Sequence, residues 1–478
     1  RANSLTRDEV EAAIRRLDCA SLEDARWFGA KGRRVELVEL DEAFVLDAAA
    51  PHVLAIATLT LDDGARPRYQ FALTGSPPML AAPGEGSWRA LAVAMAEGRT
   101  IAALPADPAR SDVSAALVCR PGPAMPADGL GTERDLAMDQ SNTSVVLGER
   151  IVLKAYRRLQ PGLNPDLEMT AFLSEQARFA AVPPVAGFAE LVEARHGAST
   201  IAMAQAFVAD GEDAYEAIAG AMTAWLLAPG EVSLEFATEV AADLGALTAG
   251  LHAAVAGEAS GRGLPEMAPR EATRDEIRTW ATRARDHLER AMEVAPTDTD
   301  AAATLRLLAP RIVDVLSVLD ALPTTPEVVR AHGDLHLGQV LIASDGFRII
   351  DFEGEPLSTP DERRAHRHPL RDVASMLRSL DHVGRSAGRR AERANGGPLA
   401  EPGLDLPGWL VRSRERFLEA YRDGLRDARV WVDLDPSLLL AFEVDKELYE
   451  FAYAATYLPS WLWAPTEGMR GLFRDGDR

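Results

Sequence analysis

The chain has 478 residues, 47% apolar and 26% charged, with a formal charge of −22. That length asks for two or three domains rather than one core, and the acidic balance argues against nucleic acid, whose phosphates require a basic surface. No apolar run approaches a membrane span, residues 1–15 carry no apolar signal region, and two cysteines make no disulfide framework, so a soluble protein of the reducing cytoplasm is expected.

The first hundred or so residues read as an α+β unit. Val10, Ile14 and Leu17 give helical spacing within residues 5–17, strands are expected at 35–46, 53–61 and 69–73, and a short amphipathic helix at 88–97. The segment Arg26-Trp-Phe-Gly-Ala-Lys-Gly-Arg-Arg34 interrupts them and reads as a turn anchored by Trp27 rather than a phosphate contact. A Pro- and Gly-rich stretch at 121–131 is a loop or linker. Next come the small polar residues of Asp139-Gln-Ser-Asn-Thr-Ser144, then a strand, a Gly148–Arg150 turn and a second strand at 151–156. Lys154 lies in that second, apolar strand, where an unpaired ammonium is costly. Either the strand's solvent face receives it or an anion does, with Glu168 on the following helix (166–177) as the natural carboxylate.

Residues 200–208 form another strand, after which helical periodicity dominates at 234–255, 273–292, 301–322, 372–380, 409–425 and 438–457. Residues 384–402, polar and Gly-containing, read as an exposed loop.

The most informative stretch is Ala331-His-Gly-Asp-Leu-His-Leu-Gly-Gln-Val-Leu341 with Ile349-Ile-Asp-Phe-Glu353. Gln339 follows Asp334 by five positions, the offset between the catalytic aspartate and metal-binding amide in H-R-D-x-x-x-x-N. Between Asp334 and Asp351, strands at 340–342 and 347–350 flank Asp345-Gly346, a hairpin signal. A hairpin returns Asp351 toward Asp334, which supplies phosphoryl transfer with one carboxylate for the attacking hydroxyl and one for magnesium. A chance acidic loop is the bland alternative, and it leaves the offset, the hairpin and the Asp-Phe unexplained together. His332 and His336 are i, i+4, but Gly333 and the following strand place them on a loop rather than on a metal-binding helix. Near the C-terminus, Glu443, Glu447 and Glu450 fall at i, i+4 and i+7, one stripe of a helix. Like charges so spaced disfavour a helix, so a compensating cation is expected, part of it Lys446 and the rest a cationic ligand; a solvated face is the alternative.

With Lys154-Ala-Tyr-Arg-Arg-Leu159, Asp351-Phe-Glu-Gly-Glu-Pro356, Asp361-Glu-Arg-Arg364 and Pro369-Leu-Arg-Asp-Val-Ala374 added, the chain resembles the aminoglycoside-phosphotransferase branch of the kinase-like fold. More narrowly, and over nearly its whole length, it is similar to the bacterial glucosamine kinase and maltokinase group. The resemblance implies an α+β, bilobal, protein-kinase-like fold: residues 1–110 an N-terminal α+β cap, 111–208 a nucleotide-binding N-lobe, and 209–478 a helical C-lobe with the catalytic loop and sugar site. It implies ATP as donor, Mg²⁺ as metal and a sugar hydroxyl as acceptor.

Carried over by motif, Asp334 is the catalytic base and Gln339 and Asp351 hold the metal. Lys154, partnered by Glu168, meets the α- and β-phosphates; Ser141, Asn142, Thr143 and Ser144 form a turn in place of a Gly-rich loop; Gln205, Ala206 and Phe207 run into the hinge that meets adenine. Asp372 and His332 brace the catalytic loop. The sugar is expected among Asp334, His336, Glu353, Glu443, Glu447, Tyr449, Glu450 and Trp461, the tryptophan stacking on the pyranose. The tail shares Lys-x-x-Tyr-Glu and Pro-x-Trp with maltokinases, but Ala454-Ala455 after Tyr453, and Tyr457-Leu458 before Pro459, bring it nearer the glucosamine kinases. The expected reaction is phosphorylation of D-glucosamine to glucosamine 6-phosphate. Maltose, phosphorylated at its anomeric hydroxyl, and an aminoglycoside are the alternative acceptors. A non-catalytic nucleotide-binding regulator is disfavoured by the intact Asp334, Asp351 and Lys154. Monomer and homodimer both remain open.

Overall fold

Apolar, β-branched runs at Val35–Asp47, His52–Leu61 and Arg68–Thr74 pair antiparallel in a continuous ladder, and Met79–Leu80 completes a four-stranded sheet. The computed structural model describes residues 5–25, 27–30, 32–105, 115–136, 142–228, 235–257, 265–356, 358–399, 406–430 and 432–474. The chain divides into two compact units, residues 1–174 with 183–209 and residues 175–182 with 210–478.

In the first unit a second, seven-stranded sheet runs in the order Thr100–Ala102, Ala115–Pro121, Val185–Glu193, Gly197–Ala206, Ile151–Ala155, Thr143–Leu147, Glu133–Asp135. One core joins the two sheets: Phe44 and Leu54 of the first, Trp88 and Met95 of the helix Ser87–Ala96, and Leu117, Leu153 and Ile201 of the second. Burial of that apolar surface binds the expected cap and N-lobe segments into one unit. Trp27 is anchored as expected, its ring 5.6 Å from Tyr69 and 6.0 Å from Phe71. The flanking Arg26 lies outside the described residues.

The second unit is mostly helical. Glu235–Ala256, Arg274–Val294, Asp300–Leu316, Leu406–Asp427 and Pro436–Tyr457 fall where periodicity placed helices. Two departures matter. Ala214–Leu227 is a helix whose Ala-rich, nearly uniform apolar sequence offers no amphipathic stripe to read. And Leu370–Asn395 is one continuous helix, so the loop expected at 384–402 begins only beyond Asn395. Gly384, which looked like a breaker, is a close-approach site: a Cβ there would lie 2.8 Å from Trp409 Cζ3 and 2.9 Å from Leu410 Cδ2. The unit's small sheet pairs Glu212–Asp213 with Val340–Ala343, which pairs in turn with Gly346–Ile349. Among the described residues no helix is long and apolar enough to cross a membrane.

Candidate active site

The expected hairpin forms, with Val340 opposite Ile349 and Ala343 opposite Gly346, so the turn is Ser344-Asp345, one residue earlier than read. Its closure carries the chain back to the loop: the Ile350 N–H donates to Gln339 O at 2.9 Å, and Gln339 Nε2 donates to Asp351 Oδ2 at 3.3 Å. His336 continues the series, its Nε2 3.4 Å from Gln339 Nε2 and 3.9 Å from Asp334 Oδ2. Asp351 sits at φ 65°, a left-handed conformation that costs a non-glycine residue free energy and here aims the residue leaving the hairpin. Its carboxylate and that of Glu353 present oxygens within 4.8 Å of each other. Asp372 braces the loop as expected, accepting the N–H groups of His332 at 2.8 Å and Gly333 at 3.0 Å. His332 spans from there to Ile350 O at 3.1 Å.

Lys446 is the cation expected to offset part of the glutamate stripe; what sequence reading missed is its pairing with Asp334. Its Nζ lies 2.8 Å from Asp334 Oδ1, 2.9 Å from Glu450 Oε1 and 3.8 Å from Glu355 Oε1, with the side chain almost wholly buried. Burial would push the Asp334 carboxyl up, but the charges of Lys446, His336 and His332 outweigh it and hold it well below the usual carboxylate range. Burial likewise opposes the Lys446 charge, and Asp334, Glu450 and Glu355 together hold it well above the ordinary lysine value.

Lys446 also lines a cleft of about 350 Å³ with His336, Glu450, Trp461, His382 and Tyr215. Trp461 sets an edge against Tyr215, with ring centres 6.3 Å apart. Three of the expected sugar residues, His336, Glu450 and Trp461, therefore meet in one place. Five others do not line it among the described residues, although one of them, Asp334, touches the lining Lys446. Glu443 is fully buried and takes both guanidinium nitrogens of Arg414, at 2.6 and 2.8 Å, and Arg378 Nε at 3.2 Å. Glu447, equally buried, takes His382 Nε2 at 2.8 Å. The cations the stripe needed come from neighbouring helices, so these two carboxylates are not left for a ligand. Tyr449 is packed against His287 and Tyr453. Glu353 lies 3.8 Å from Arg363 Nη1 and beside Asp351, a place suited to a metal rather than a sugar. A signal for the buried pairs existed in the sequence: Arg378 and His382 repeat the i, i+4 spacing of Glu443 and Glu447, as facing rungs of two helices would.

In the first unit Lys154 is half-buried and ion-paired, with Asp166 Oδ2 at 3.1 Å. Asp166 also accepts the Tyr156 hydroxyl at 3.2 Å. The expected partner Glu168 is buried on the same helix, Pro165–Ala171. Because Asn164 caps that helix and accepts the Asp166 N–H at 2.8 Å, the first-turn aspartate is fixed where the strand lysine reaches it. The polar turn is corrected. Thr143 and Ser144 are strand residues opposite Ala155 and Lys154, and the Thr143 hydroxyl accepts the buried Arg157 Nε at 2.6 Å. Asn142 adjoins them and Ser141 lies outside the described residues. Gln205 and Ala206 end the strand Gly197–Ala206, and the N–H groups of Ala206 and Phe207 donate to Pro184 O and Arg150 O.

A family model described as "phosphotransferase enzyme family" (APH) matches residues 132–431. The chain is 34% identical over 354 residues (71% of this chain, 73% of the relative) to a glucosamine kinase of Streptacidiphilus jiangxiensis. It is 29% identical over 345 residues (72% and 80%) to a glucosamine kinase of Mycolicibacterium smegmatis (strain ATCC 700084 / mc(2)155). Among solved structures, a glucosamine kinase in complex with glucosamine, ADP and inorganic phosphate superposes with a TM-score of 0.70 at 27% identity, covering 97% of this chain and 99% of that one.

Proposed function

Because this chain belongs to the phosphotransferase enzyme family, we propose that its acidic cleft takes D-glucosamine and that the chain uses ATP to phosphorylate that sugar to glucosamine 6-phosphate. The observation that carries the reading is the pairing of Asp334 with Lys446 and of Lys446 with Glu450 in a cleft walled by Trp461. Its curated relatives named glucosamine kinase favour this acceptor over maltose or an aminoglycoside.

Asp334 Oδ1 is engaged by Lys446, so Oδ2, the oxygen facing His336, accepts the hydrogen bond of the attacking hydroxyl. The hydroxyl oxygen bonds the γ-phosphorus, its proton passes to Asp334, and the bond from the γ-phosphorus to the bridging oxygen breaks with ADP leaving. A carboxylate held this far toward its ionised form is a weak base, and its role is chiefly to orient the hydroxyl. Trp461 offers an aromatic wall to the apolar face of the pyranose, His336 a polar contact, and Glu450 an anion for the 2-ammonium.

Magnesium, when bound, neutralises phosphate charge, and the donor set fits it: the neighbouring oxygens of Asp351 and Glu353, and the Gln339 amide, which turns over to present oxygen in place of its NH₂. On the first unit, Lys154, held by Asp166, serves the nucleotide phosphates; we keep residues 1–110 as the cap, 111–208 as the N-lobe and 209–478 as the C-lobe. Free thiols at Cys19 and Cys119 support a cytosolic setting.

ADP release measured over glucosamine, glucose, maltose and an aminoglycoside tests the proposal. Glucosamine is expected to turn over fastest. Glu450→Gln, losing one charge-assisted contact, should raise its KM about tenfold to a hundredfold and that for glucose far less. Faster turnover of maltose than of glucosamine would sink the amino-sugar reading.

A further inference from the structure

A second cavity, of about 440 Å³, lies among the helices Leu370–Asn395, Leu406–Asp427 and Pro436–Tyr457 and shares Arg378 with the sugar cleft. Its wall is in part apolar, with Leu410 and Leu418, yet its described lining carries five arginines against two carboxylates. That sign is opposite to the chain's −22. The two carboxylates are already matched: Glu443 holds Arg414 and Arg378, and Asp381 holds Arg385 at 2.5 Å. The surplus falls on Arg422 and Arg474, both exposed, and neither has an acidic partner among the described residues.

A half-open cavity of this volume, apolar over a little more than half of its wall and with spare guanidinium groups in its lining, has the chemistry of a small-ligand site. A planar guanidinium matches a carboxylate or a phosphate, and the leucines of the wall favour an anion that carries an apolar body over inorganic phosphate. We propose that this cavity binds a small amphipathic carboxylate, an apolar chain or ring bearing one anionic head, and that its occupancy alters sugar binding. The route is short. An anion that draws Arg414 toward itself weakens its hold on Glu443, which is fully buried and then leans on Arg378. Arg378 Nη1 has no hydrogen-bond partner and stands 3.8 Å from Glu447, whose other oxygen holds His382 in the cleft wall. The coupling rests on the glucosamine reading, whereas the binding does not.

Calorimetric titration of the full chain with octanoate separates the two. Saturable one-to-one binding is expected, weakened at least tenfold by Arg422→Glu and by the cavity-filling Leu418→Trp, with octylamine and inorganic phosphate failing to bind. Saturating octanoate is expected to shift the glucosamine KM at least about fivefold in the wild type and not in Arg422→Glu. No saturable binding, binding untouched by both variants, or equal binding of octylamine overturns the site. Octanoate binding with an unchanged glucosamine KM overturns the coupling, and leaves the kinase assignment to be judged by its own acceptor panel.

Discussion

Lys446→Met removes the one ammonium that Asp334 and Glu450 share and leaves a side chain of similar length. Removing one partner of a buried ion pair costs about 3–5 kcal/mol, because the other charge stays desolvated. Both groups here are well buried, with side-chain exposures of 9% and 14% for Lys446 and Asp334, so little screening discount applies. Asp334 makes the shortest of the three contacts. If about 3 kcal/mol of the loss falls on its ionisation, at about 1.4 kcal/mol per pH unit its titration rises by roughly two units. The sign follows from the native arrangement. A depressed carboxylate contributes stability that is present above its unfolded value, about 3.9, and lost as pH falls through the lower folded value. In the variant that contribution disappears, so unfolding free energy at pH 7 falls by about 3 kcal/mol and the acid limb of kcat/KM for glucosamine moves up by roughly two pH units. Urea unfolding at pH 7 measures the first, and ADP release in short assays from about pH 2.5 to 7, the range through which a depressed carboxylate titrates, measures the second. A limb that stays in place, with stability changed by less than about 1 kcal/mol, refutes the claim that Lys446 sets the charge of Asp334.

Asp334→Asn should keep ADP binding by calorimetry within a few-fold while turnover drops by about three orders of magnitude, and unchanged turnover removes this residue from the chemistry. Gly384→Val should lower unfolding free energy by about 2–3 kcal/mol through its clash with Trp409, whereas Gly220→Ala, on an exposed helical site with open space, should raise it by up to about 1 kcal/mol. Burial opposes the charge on His382, but Glu447 and Asp381 outweigh it and raise its titration, so its contribution to stability is full below about pH 6.5 and is lost as pH climbs through the higher folded value. His382→Gln should therefore flatten the stability profile above neutrality in denaturation series at successive pH values, and a profile identical to the wild type contradicts that assignment.

Much of this was legible in sequence because the features are local. The Asp334–Gln339 offset, the hairpin that follows, and the amphipathic helices depend on neighbours a few residues apart. What stayed hidden was tertiary. Lys446 sits 112 residues from Asp334, and its own helix offers carboxylates enough to explain it away. Glu443 and Glu447 share a stripe, yet their destination depends on which helix lies opposite, and Arg378 and His382 answer that only once the two are packed. Gly384 reads as a helix breaker until Trp409 is seen against it. Asp166 went unnamed in the sequence because its reach to Lys154 depends on the first-turn geometry that Asn164 fixes.

The charges along the helix Pro436–Tyr457 also bear on which sugar fits. Glu443 is balanced by Arg414 and Arg378, and Glu447 by His382. Glu355, at the next turn's contact, is balanced by Arg283 and lies 3.7 Å from Arg367. Among the described residues that leaves Asp334 and Glu450 sharing the single ammonium of Lys446, so, the histidines near Asp334 aside, this end of the cleft is one positive charge short. A neutral disaccharide leaves the deficit in place and adds desolvation of Glu450 to it, whereas a protonated amino sugar fills it with a charge-assisted contact. Preference for an amine thus follows from where the helix runs out of protein cations, rather than from the number of glutamates on its surface.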